Sequence, residues 1–144
     1  MSNNPEVYGA TAIVYIDYDK TIEELGSLIK IALELKSIRY DTDEDEPHDL
    51  VGYSEVLGFE LVLQHKSEGY YEGKYCYSLE INTTDNYSNE KLCGKTYDLS
   101  PYYARYISMI CKIHTIACVK NGASRQLTKF WHEKSNRMSE EIEM

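Results

Sequence analysis

The sequence predicts an α+β fold in one domain: a mostly antiparallel sheet of about four strands with two helices on one face, in the order β-α-β-β-α-β, followed by a C-terminal tail helix. Three observations predict it. Apolar residues alternate in short runs, as in strands. In two other segments they recur at helical intervals behind recognisable helix starts. The 144 residues, 42% hydrophobic and 27% charged, suffice for one core and are too few for two independent ones. The domain is expected to span 1–144, with its core over 7–120 and the tail over 121–144.

The first element is GATAIVYID, ending at Asp17. It is β-branched and aromatic, and its two faces are almost equally apolar, which predicts a central strand. Thr21 then stands three residues before Glu24 in capping-box spacing. Ile22, Leu25, Leu28, Ile29, Ala32 and Leu35 follow at helical intervals, predicting a helix from Thr21 to Lys36. From Ser37 to Tyr53 the chain is acidic around Pro47 and reads as an exposed loop.

A half-buried strand is expected from Val56 to Lys66, with Leu57, Phe59, Leu61 and Leu63 alternating against polar residues. SEGYYEGK supplies two glycines for a hairpin connection, and KYCYSLEIN continues as its partner strand. The polar stretch from Thr83 to Tyr97 is expected to be a long loop. Ser100 and Pro101 read as the N-cap and first residue of a second helix. IHTIACV, from Ile113 to Val119, reads as the last strand, ended by Asn121-Gly122. In the tail, Leu127, Phe130 and Trp131 are the large apolar residues expected to dock a short helix.

Fifteen basic against 24 acidic residues give a formal charge of −9, which disfavours nucleic acid and anionic membranes and favours a basic partner. The N-terminal MSNNPEVYG lacks the positive start and apolar stretch of a secretory signal, and no apolar run is long enough to span a bilayer. A cytoplasmic location is therefore expected, and with it four reduced, structural cysteines, Cys76, Cys93, Cys111 and Cys118. Fourteen tyrosines against two phenylalanines suit half-buried strands, and tyrosine is also enriched at protein interfaces.

No motif supports catalysis. DTDEDE, from Asp41 to Glu46, begins like a calcium loop, but Glu46 replaces the obligatory glycine and Gly52 the bidentate glutamate. Cys111, His114 and Cys118 lack metal-ligand spacing, the four histidines are scattered, and no glycine-rich phosphate loop or nucleophile elbow is present. The expectation is a binding protein and not an enzyme, with no cofactor and no metal.

YSEVLGFELVLQHK, YCYSLEINTT and YDLSPYYARYISMICKIHTIACV together resemble immunity proteins of bacterial polymorphic-toxin systems, including contact-dependent growth inhibition. Tyr53–Asn82 and Tyr97–Val119 carry the likeness, and the first strand and helix fit its pattern. The resemblance implies a protein that binds a cognate toxin domain in a one-to-one complex and blocks its active site or substrate surface. Many such toxins are nucleases, whose basic surfaces suit an acidic inhibitor. The alternative is a phage or host regulator that mimics nucleic acid. Neither reading involves a membrane or bound nucleic acid.

Asp41 to Glu60 holds eight acids and no Lys or Arg, flanked by aromatic residues. The candidate partner-binding residues are accordingly Tyr40, Asp41, Asp43, Glu44, Asp45, Glu46, Asp49, Tyr53, Tyr70 and Tyr71.

Overall fold

The computed structural model describes residues 9–42, 44, 49–56, 58–71, 73–83, 96–121, 124–130 and 137–143. Strand β1 (Gly9–Asp17) lies inside the sheet because both of its faces are apolar. Ala12, Val14 and Ile16 are fully buried on one side, and Tyr15 is 7% exposed on the other. Helix α1 (Ile22–Ala32) follows, with the Thr21 hydroxyl accepting from the Glu24 amide at 3.2 Å, the expected cap.

The helix stops four residues short of Lys36. Glu34 turns left-handed at φ 54°, the Leu35 amide donates to the Lys30 carbonyl and the Glu34 amide to that of Ile31. This Schellman ending sends Leu35 back into the core, where it is 7% exposed.

The segment expected to be a loop after α1 instead supplies two strands, β2 (Arg39–Thr42) and β3 (Leu50–Val56), paired with Tyr40 opposite Gly52. An edge strand solvated on one side tolerates charge at alternate positions, so its acidity did not forbid it. Gly58, at φ 83°, then turns the chain into β4 (Phe59–His65), so the expected Val56–Lys66 strand is divided. The expected Lys74–Asn82 strand is displaced to β5 (Tyr77–Thr83), which pairs with both β4 and β1.

Within the predicted long loop, β6 (Thr96–Asp98) runs parallel to the start of β1. Helix α2 (Ser100–Cys111) follows, and β7 (His114–Asn121) takes the remainder of that β1 edge. The described part of the tail is not helical, and Trp131 lies outside the described residues. The tail forms β8 (Ser124–Phe130) and β9 (Arg137–Glu143), which extend the sheet beyond β7. Leu127 and Phe130, three residues apart, match a helix turn in sequence. In the strand they face opposite sides of the sheet, each largely buried. The strand ends at Asn121, as expected, and Asn121 pairs with Ser124 at the start of β8.

The four-strand prediction is therefore overturned. Among the described residues one nine-stranded sheet runs β2-β3-β4-β5-β1-β7-β8-β9, with β6 beside β1. Both helices pack on one face, over a core that includes Val14, Ile16, Leu25, Ile29, Leu61, Leu79 and Ile107. Ser100 is not the N-cap either, which is Leu99. Its buried hydroxyl accepts from the Ile13 amide at 2.8 Å and donates to Asp98, while the Leu99 amide donates to Thr11 at 2.8 Å. These bonds fill the gap between β6 and β7, where β1 would otherwise leave backbone groups unpaired.

Candidate protein-binding surface

The face of the sheet away from the helices is built in two ways. Across β1, β7 and β8 it is covered by the β4–β5 connection, which folds back over Ile116, Cys118 and Leu127. Gly69, at φ 82°, makes this return possible, since a Cβ there would lie 2.4 Å from the Lys74 carbonyl oxygen. Tyr70 stacks on Tyr15 with ring centroids 5.0 Å apart, and Tyr75 is buried beside Tyr71.

Three cations brace this cluster. Lys66 lies over the Tyr70 ring, Lys129 over Tyr71 at 5.1 Å, and Arg125 donates to the Tyr15 hydroxyl at 3.3 Å. Burial pushes the Tyr15 phenol up to about 12, Cys118 adding to the effect and Arg125 opposing it. Burial likewise raises Tyr70, with the charge of Glu80 contributing.

Across β2 to β5 the same face is open toward the Glu55–Glu60 end, while Val51 and Ser78 on it are buried. The strand period places Arg39, Asp41, Tyr53, Glu55, Glu60 and Glu80 on it, four carboxylates against one guanidinium. Arg39 pairs with Asp41 at 3.0 Å and lies 5.3 Å above the Tyr53 ring. Glu55 and Glu60 are directly opposed across the β3–β4 hairpin, and both are exposed. Like charges in that relation destabilise a sheet. Ser37, Arg39, Tyr53, Ser54, Glu55 and Glu60 line a cleft here.

The residues expected to bind a partner therefore separate. Asp41 and Tyr53 belong to the open acidic face, and Glu44 is exposed in the β2–β3 connection. Asp43, Asp45 and Glu46 lie outside the described residues. Asp49 is half-buried at the other end of β3, its carboxylate 3.9 Å from His65 Nδ1. Tyr40 points to the helix side, so close to Gly26 of α1 that a Cβ there would meet its hydroxyl. Burial, helped by Glu23, raises the Tyr40 phenol. Tyr70 and Tyr71 belong to the braced cluster over β1, β7 and β8.

Glu55, Glu60 and Glu80 were missed as a group because strand register, which only pairing fixes, brings them together. A second, apolar feature lies on the outer side of α2. Tyr102, Tyr106 and Met109 in α2 recur at helical spacing opposite the buried Ala104 and Ile107, and all three are exposed.

Among the described residues no group of three potential ligands could hold a metal ion, and no helix is long and apolar enough to cross a membrane. The Cys111 thiol points to the Leu28 carbonyl at 3.7 Å, whereas Cys118 is buried under the opposite face. Comparison with known proteins finds no matching family model, no similar curated protein and no similar solved structure.

Proposed function

We propose that this chain is a binding protein of the immunity type, which neutralises a cognate toxin domain with a basic, phosphate-gripping surface by covering that surface. The opposed Glu55–Glu60 pair beside Tyr53 carries the reading. A sheet that places two like charges across one hairpin gives up local stability, and a cationic partner restores it on binding. Tyr53 and Arg39 supply an aromatic ring and a planar donor of the kind interfaces favour. The net charge of −9 adds long-range attraction for the same class of partner.

The test is association with the toxin domain encoded beside this chain's gene, followed by stopped flow at two ionic strengths. Wild type is expected to form a one-to-one complex whose association slows as salt rises. Glu55→Lys/Glu60→Lys should slow low-salt association by about tenfold or more and flatten its salt dependence. Equal rates for the two proteins would remove the acidic face from the interface. Tight binding to a host DNA-binding protein in place of a toxin would favour nucleic-acid mimicry.

A further inference from the structure

The helix layer, on the side of the sheet opposite the acidic face, exposes large apolar side chains. Ile31 of α1 is 75% exposed, and in α2 Tyr102 is 73%, Met109 59% and Ile110 50% exposed. The two helices are antiparallel neighbours, joined by the Tyr106 hydroxyl donating to the Ala32 carbonyl at 2.9 Å and by Cys111 against Leu28. Between them runs a groove of about 520 Å³ lined by Ala32, Leu33, Glu34, Tyr102, Tyr103 and Tyr106.

Charge identifies the occupant. In a chain of net charge −9, α2 contains no acidic residue; Arg105 and, just past its end, Lys112 are exposed. On α1 the outward surface around Ile31 carries Glu24 and Glu34. Glu23 and Lys30 share the flank toward Gly26 and Tyr40, about 80–100° from Ile31, so from Thr21 to Glu34 three carboxylates outweigh one ammonium. One half of the layer is therefore acidic, the other basic, and an apolar strip joins them. A basic partner would be repelled by α2, and an acidic one by α1.

We infer that the helix layer is a self-association surface, in which a two-fold axis along the groove sets α1 of one copy against α2 of the other. That operation brings Glu24 and Glu34 to the side of Arg105 and Lys112 and buries Ile31 against Tyr102 and Met109, the reciprocal contact of an isologous dimer. It also leaves the acidic face of each copy open. Two helices of 11 and 12 residues make a small face beside the roughly 800 Å² per partner of a standard stable complex. The dimer is accordingly weak and concentration dependent.

Sedimentation velocity on the full chain alone, from about 5 to 500 µM, reads this directly, because a micromolar dissociation constant falls inside that range. Wild type is expected to shift from monomer to dimer. Ile31→Glu and Met109→Glu, both at exposed positions and checked for unchanged circular dichroism, should each stay monomeric. Glu34→Arg should weaken the dimer about tenfold, and Glu34→Arg/Arg105→Glu should restore most of the loss. A wild type that stays monomeric throughout overturns the proposal, as does a dimer indifferent to Ile31→Glu and Met109→Glu. Failure of the paired charge swap to restore association overturns the arrangement of α1 on α2.

Discussion

The two halves of the sheet face opposite the helices use the same backbone and differ in almost every other respect. Over β1, β7 and β8 the connection Lys66–Cys76 lays Tyr70, Tyr71 and Tyr75 on the sheet, and Lys66, Arg125 and Lys129 approach the rings of an otherwise acidic chain. Over β2 to β4 Asp41, Glu55 and Glu60 are exposed, and Glu80 of β5 is half-buried beside Tyr70 at the edge of the cover. Where apolar area is buried and cations meet aromatic rings, the face serves stability. Where like charges are opposed and exposed, it is built against local stability.

Truncating a side chain under the cover should have the largest effect. Ile116→Ala, at a fully buried position, is expected to cost about 4 kcal/mol, whereas Val62→Ala on the half-buried acidic side should cost about 1 kcal/mol. Urea denaturation of both variants measures the contrast, and similar losses would show that the two halves contribute alike to the core.

A smaller effect concerns alkaline pH. The folded state holds the Tyr15 phenol near 12 against an ordinary value of about 10, so it keeps the proton longer than the unfolded chain does. The stabilisation is complete below pH 10 and is lost as pH climbs through 12, by about 2 kcal/mol. Tyr15→Phe should flatten that part of the stability profile. An equally steep decline in the variant would assign the alkaline transition to other groups, such as Tyr70.

The smallest expected change has the opposite sign. Glu60→Gln relieves the opposition to Glu55 and should raise stability by a few tenths of a kcal/mol. The same substitution should slow association with a basic partner. A loss of stability would mean that the carboxylate has a structural partner and that the open face is less specialised for binding than its charges imply.

Much of the scaffold was legible locally. The doubly apolar β1, the Thr21–Glu24 cap and the Pro101 helix start are each specified by residues within a few positions of one another. The acidity around Tyr53 was equally plain. What could not be read was which acids share a face: Asp41 and Glu60 are placed on one face by the β2–β3 and β3–β4 registers, while Tyr40, one residue from Asp41, is sent beneath α1. A shift of one residue in either pairing would have exchanged their roles.

The sequence by itself determined that this protein has a central apolar strand, two helices with encoded starts, and an acidic segment between the first helix and the next strands. Tertiary structure alone decided that Arg39–Thr42 and Ser124–Phe130 are strands, that Ser100 seals β1 instead of capping α2, and that the Tyr70–Tyr75 connection covers half a sheet face. The physical reason is range. A helix satisfies its backbone and its cap within a few residues, whereas a polar strand depends on a ladder supplied from elsewhere in the chain. Ser100 bonds a partner 87 residues away and Arg125 one 110 residues away, distances at which no local pattern carries information.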